Sequence, residues 1–100
     1  MEEIVRMPIE DVLDLHTFRP EEVPDLLNDY FAECVQAGIF SVRVIHGRGK
    51  GVLKKRVRSL LKKNPLVRAF QEAPAEAGGW GATIVDLTPE APGRKVTKQK

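Results

Sequence analysis

Ser41-Val42-Arg43-Val44-Ile45-His46-Gly47-Arg48-Gly49-Lys50-Gly51, running on into Val52-Leu53-Lys54-Lys55-Arg56-Val57-Arg58, is the stretch that decides the fold. Residues 41–46 alternate in polarity and are rich in β-branched side chains, which reads as a strand. From Val52 to Lys63 the apolar residues Leu53, Val57, Leu60 and Leu61 recur at helical spacing on a narrow stripe, with bases on the rest of the surface. Asn64-Pro65 ends that helix. Between strand and helix lie glycines at alternate positions, which let the backbone turn tightly. A strand that turns through glycine into a helix is the front half of a βαβ unit.

The flanking segments extend the pattern. Upstream, residues 11–16 (Asp-Val-Leu-Asp-Leu-His) alternate as a strand, with Leu13 and Leu15 on one side and Val12, Asp14 and His16 on the other. Residues 20–37 form one apolar stripe through Val23, Leu26, Leu27, Tyr30, Phe31, Cys34 and Val35, which predicts a helix. Pro20 and Pro24 fit its beginning, Glu21, Glu22 and Asp25 suit its positive end, and Gly38 stops it. Downstream, residues 67–71 read as a strand, 72–79 as a loop and 81–87 as a final strand. The order β-α-β-α-β-β predicts an α/β two-layer sandwich: a mixed four-stranded sheet with two helices on one face. The last strand is expected to run antiparallel to the third. Residues 1–9 read as a lead-in, 10–88 as the domain, and 89–100 as a disordered basic tail.

Composition bounds the function. The 100 residues are 42% hydrophobic and 30% charged, enough for one core and one domain. No segment has the apolar length to span a bilayer, and Met1–Arg6 opens with glutamates rather than a signal peptide, so a cytoplasmic protein without a membrane partner is expected. The single cysteine, Cys34, cannot form an intrachain disulfide and reads as a core residue. A monomer is the simplest assembly. The net charge of +2 conceals an asymmetry: residues 1–42 hold ten acids and two bases, whereas residues 43–68 hold ten bases and no acid. A basic centre beside an acidic segment points to an anionic partner, DNA or RNA.

The chemistry gathers at one edge. In parallel α/β units, ligands collect where strands end and helices begin. His16 ends the first strand, His46 ends the second, and the chain has no other histidine. The loop Gly47, Arg48, Gly49, Lys50 and Gly51 leads into a helix whose free N–H groups attract anions, and Arg48 can grip a phosphate with two bonds. Lys54, Lys55 and Arg58 extend the charge from the same place. The spacing matches neither a Walker motif nor a dinucleotide fingerprint. Asp14 either accepts structural hydrogen bonds, or orients His16 or holds a divalent metal. No ligand spacing demands a transition metal, and magnesium is the one cofactor left open. Trp80, between Gly79 and Gly81, either packs as a lid on the sheet edge or stacks on a base.

Three motifs in order resemble the Smr (small MutS-related) domain family over residues 11–87: Leu13-Asp14-Leu15-His16; Ile45-His46-Gly47-Arg48-Gly49 with the basic helix after it; and Gly78-Gly79-Trp80-Gly81-Ala82-Thr83-Ile84-Val85. The resemblance implies a sandwich similar to the C-terminal domain of the third bacterial translation initiation factor. It also implies binding of DNA or RNA and, in several relatives, cleavage of it. By motif, Asp14, His16, His46, Gly47, Arg48 and Gly49 carry over as the candidate site. Thr17 departs from the family, which usually has glycine there; a side chain at that turn bears on cleavage more than on binding.

Two functions of different kinds are therefore expected to compete. One is an endonuclease of low sequence specificity, with Asp14, His16 and His46 catalytic. The other is a non-catalytic nucleic-acid or ribosome-binding module. A third, a protein-interaction domain, would use the acidic first helix.

Overall fold

A computed structural model of the chain describes residues 10–49 and 51–89. Lys50, the lead-in 1–9 and most of the expected tail lie outside the described residues. The elements follow as β1 (Val12–Asp14), a 3₁₀ turn (Pro20–Glu22), α1 (Val23–Gln36), β2 (Ser41–Ile45), α2 (Val52–Lys63), β3 (Val67–Glu72), two further 3₁₀ turns (Ala75–Ala77 and Gly79–Gly81) and β4 (Ala82–Leu87). The expected α/β sandwich is the fold that forms.

The first helix starts later than its periodicity suggests. Pro24 has no N–H and its ring crowds the carbonyl one turn back. Residues 20–22 accordingly take a tighter turn, in which the backbone N–H of Arg19 donates to the Glu22 carboxylate at 3.0 Å. The α-helix proper begins at Val23, with Pro24 in its first turn. It buries Val23, Leu27, Tyr30, Phe31 and Cys34, a stripe at steps of three and four. It ends in a Schellman closure: Ile39 N–H donates to the Cys34 carbonyl at 2.8 Å and Gly38 N–H to Val35 at 3.1 Å.

The second helix buries only Val57 and Leu61, and Lys62 and Lys63 occupy its last turn, where cations suit the dipole. Asn64 ties its end down. The Asn64 amide nitrogen donates to Asn28 Oδ1 on α1 at 2.8 Å, and its oxygen accepts from Leu66 N–H at 2.9 Å.

The sheet order is β1-β2-β4-β3. β1 runs parallel to β2, with Asp14 registered against Ile45. β4 lies antiparallel between β2 and β3, with Val42 against Val85 and Val44 against Thr83. Alternation then sorts the side chains. Val42, Val44, Val85 and Leu87 face the helices and join Leu15, Phe31, Val57 and Leu61 in one core. Arg43 and Ile45 are half-buried on the other face. There the 72–81 segment covers the end of the sheet, and an Arg43 guanidinium nitrogen donates to the Ala77 carbonyl at 3.1 Å.

Phe31 is wholly buried at the centre of that core. Phe31→Ala should destabilise the domain by about 3–5 kcal/mol, read as a lower urea midpoint. A midpoint unchanged by the substitution would show that α1 does not seal the sheet.

Candidate nucleic-acid interface

The parallel pairing of β1 and β2 brings both histidines to one edge of the sheet, but on different faces. Asp14 is the last residue of β1, and His16 sits in the turn that follows, closed by Phe18 N–H donating to the Leu15 carbonyl at 3.0 Å. Asp14 Oδ1 accepts from the backbone N–H of His16 at 3.0 Å and from the His16 ring Nδ1 at 2.6 Å. These two bonds, the backbone one first, hold the Asp14 carboxyl below the ordinary carboxylate range. Because a carboxylate only accepts, Nδ1 carries the proton toward Asp14 and Nε2 points away from it. The pair is open to solvent: the side chains of His16 and Asp14 are 67% and 45% exposed.

His46 goes the other way. The alternation that buries Val42 and Val44 also carries His46 inward, and it is 5% exposed. Its Nε2 lies 2.9 Å from Thr83 Oγ1 and its Nδ1 3.1 Å from the Gly47 carbonyl. A carbonyl only accepts, so Nδ1 carries the proton and the Thr83 hydroxyl donates to Nε2. Desolvation lowers the His46 pKa, the bond to Gly47 opposes this, and the charges of Lys54 and Arg58 lower it further. The ring is a neutral internal strut. The edge that the sequence assigns to both histidines therefore presents His16 and conceals His46, because residues 42, 44 and 46 share the core-facing parity.

What the strut supports is the junction of two glycine turns. The N–H groups of His46 and Gly47 both donate to the Gly81 carbonyl, at 3.0 and 2.9 Å. This approach leaves little room at Gly81, where a Cβ would lie 3.0 Å from Arg48 Cγ and 3.4 Å from the Gly47 carbonyl carbon. Gly51 caps α2 in the left-handed region at φ 81°, with no side-chain cap and no acid in the first turn of the helix. The first-turn N–H groups of α2 thus remain available to an anion.

The bases divide into free and committed groups. Arg48 is exposed in the loop, where its Nη2 also reaches the Gly78 carbonyl at 3.5 Å, and Lys55 and Arg56 are exposed on α2, as are Lys62 and Lys63 near its end. Lys54 is committed: its ammonium lies 3.1 Å from Glu72 Oε1, and its side chain is only 12% exposed. Arg58 is half-buried with its guanidinium 5.7 Å from the centre of the Phe70 ring. Of the helix bases expected to meet phosphate, Lys55 alone stands free.

One contributor escapes sequence reasoning. Arg43, Arg48 and Glu76 line a cavity of about 310 Å³ on the uncovered face, together with Ile45, Gly47, Ala77, Gly78, Gly81 and Ala82. The Arg43 Nε is buried without a hydrogen-bond partner. Ile45 is the residue registered against Asp14, so this cavity adjoins the Asp14–His16 pair. Strand parity gives Arg43 its face; only the return of the 72–81 segment makes a cavity there. Among the described residues, no group of histidine, cysteine or carboxylate side chains is arranged to hold a metal ion.

A family model for the Smr domain matches residues 13–88, and the chain belongs to that family. It is 41% identical over 75 residues to the endonuclease MutS2 of Helicobacter pylori, a match covering 75% of this chain and 10% of that protein. The same figures hold for endonuclease MutS2 of Halalkalibacterium halodurans. The chain thus spans about a tenth of the length of these curated relatives. The crystal structure of the Smr domain of Thermus thermophilus MutS2 has a TM-score of 0.75 at 30% identity, covering 80% of this chain and 100% of that one. YdaL, a stand-alone small MutS-related protein from Escherichia coli, gives 0.73 at 26% identity, covering 80% and 66%. Among the described residues no helix is long and apolar enough to cross a membrane.

The neutral strut makes stability depend on pH. An unfolded His46 titrates at about 6.5, whereas the folded one titrates lower, so the unfolded chain binds the proton first. The stability is complete above that value and is lost as pH falls below it, by at most about 1.4 kcal/mol per pH unit. Urea midpoints should therefore decline with acidification in the parent and decline less in His46→Gln. Parallel declines would show that His46 is not held neutral.

Proposed function

We propose that this domain binds the sugar-phosphate backbone of nucleic acid at the β1–β2 edge and hydrolyses a phosphodiester bond there. The observation that carries the reading is the solvent-facing Asp14–His16 pair, with its 2.6 Å bond, beside an anion-receiving loop. Its family membership supports the same reading, since its relatives include proteins named as endonucleases.

The roles follow from the chemistry of each group. Asp14 fixes the imidazole so that His16 Nε2 takes a proton from water as its oxygen attacks phosphorus. The bond between phosphorus and the leaving sugar oxygen breaks, and that oxygen takes a proton from solvent. Arg48 and the uncapped first-turn N–H groups of α2 after Gly51 face the phosphate and receive the charge that builds on its non-bridging oxygens. Lys50 belongs to that loop by sequence. His46 positions the loop from behind rather than touching the phosphate. Magnesium, if bound, would add charge at the same phosphate, and Asp14 would offer it a carboxylate. Lys55 and Arg56, with the other exposed bases of α2, supply affinity that does not depend on sequence.

A binding module without cleavage is the second reading, and Thr17 favours it. Its side chain is exposed in the turn directly after His16, where the family's usual glycine leaves the approach open.

His16→Ala should lower nicking of supercoiled plasmid about 100- to 10,000-fold while leaving affinity intact. Equal nicking by parent and variant would remove His16 from the chemistry. No nicking by either, with salt-sensitive binding kept, would establish the binding module. Replacing Lys55 and Arg56 together by Glu should weaken binding across all sequences and flatten the logarithmic salt dependence, by roughly 1 in slope for each phosphate no longer neutralised. An unaltered slope would place the phosphates elsewhere.

A further inference from the structure

We propose that Trp80 is a stacking platform that makes the interface select unpaired or unstacked nucleotides over regular duplex. The inference rests on the nucleic-acid reading above and adds the form of the substrate to it.

Trp80 is the only tryptophan of the chain and keeps 42% of its surface exposed, although it sits between Gly79 and the buried Gly81 at the heart of the interface. An indole serving only as a lid on the sheet edge would bury more of itself. Yet the ring is not loose. Its benzo edge meets Gly51, where a Cβ would lie 3.3 Å from Cη2 and 3.6 Å from Cζ2. The Lys54 ammonium stands 4.2 Å from the ring centre, and Glu72 Oε1 holds that ammonium at 3.1 Å. A cation over the ring is attracted to its π-face. Lys54 is thus used as a clamp on Trp80, which accounts for a basic helix residue withdrawn from solvent.

The clamped, exposed indole has neighbours that suit a nucleotide. Arg48 runs along the same turn, its Nη2 3.6 Å from where a Gly79 Cβ would be. A guanidinium for phosphate and an aromatic surface for a base therefore lie one residue apart. Val52, directly after Gly51, is 73% exposed and extends the apolar surface at this mouth. In a regular duplex both faces of each base are covered by their neighbours. A protein aromatic can stack only on a base that is single-stranded, at an end, or turned out of the helix. The platform thereby favours nicks, flaps, junctions and single strands, whose bases are free to stack.

The test uses the whole chain and the fluorescence of its single tryptophan. Single-stranded DNA or RNA oligonucleotides should quench Trp80, and the matching duplexes should quench it far less. Trp80→Ala should weaken single-strand binding roughly 5- to 150-fold and leave duplex binding unchanged, and Trp80→Phe should restore most of the loss. Unfolding curves check that both variants remain folded. Single-strand binding with unchanged fluorescence would overturn the inference, as would a Trp80→Ala variant that weakens both forms equally. Either result leaves the phosphate-binding reading standing. Failure of the parent to bind any oligonucleotide in a salt-dependent way would overturn that reading, and this inference with it.

Discussion

The Gly81 carbonyl accepts from the N–H groups of His46 and Gly47, and the rest of the interface depends on this pair of hydrogen bonds. It joins the turn after β2 to the turn before β4, two segments more than thirty residues apart. On the helix side the His46–Thr83 bond holds the junction from within. On the uncovered side Arg48 lies over Gly81 and Arg43 reaches Ala77. A Cβ at Gly81 would press on Arg48 and Gly47, so glycine makes the close approach without displacing the Arg48 side chain. The loop that could receive a phosphate is in this way built from two motifs that neither turn could hold alone.

Much of this was legible in the sequence, and the reasons are local. The stripe from Val23 to Val35, the alternation of residues 41–46 and the sparse apolar stripe of α2 each report a period of the backbone. The start of α1 was less legible, because Pro24 shifts the first regular turn and moves residues 20–22 into a tighter one. Asp14 offered three open roles from sequence: structural acceptor, orienter of His16 or holder of a divalent metal. Its bond to the ring shows that, at a strand end with a partner two residues on, the first two are one arrangement.

What escaped the sequence depends on segments that meet only in three dimensions. The insertion of β4 between β2 and β3 sets Thr83 beneath His46, across 37 residues. It also returns the 72–81 segment over Arg43. Glu72 finds Lys54 across 18 residues and removes it from the free charge of α2. Composition counts Lys54 and Lys55 as equals; burial separates a clamp from a solvent-facing cation. His46 was accessible to reasoning by parity, since it follows Val42 and Val44 on the core-facing side, and that parity outweighs its position at the strand end.

A spectrum of amide and imidazole resonances, recorded as a short single-stranded oligonucleotide is added, tests the central claim most directly. The account predicts the largest shifts at Gly47, Arg48, Gly49 and Gly51, at the His16 ring and at the Trp80 indole, with the buried His46 ring following its loop only weakly. Shifts confined to the acidic exposed face of α1, with the loop unmoved, would contradict it.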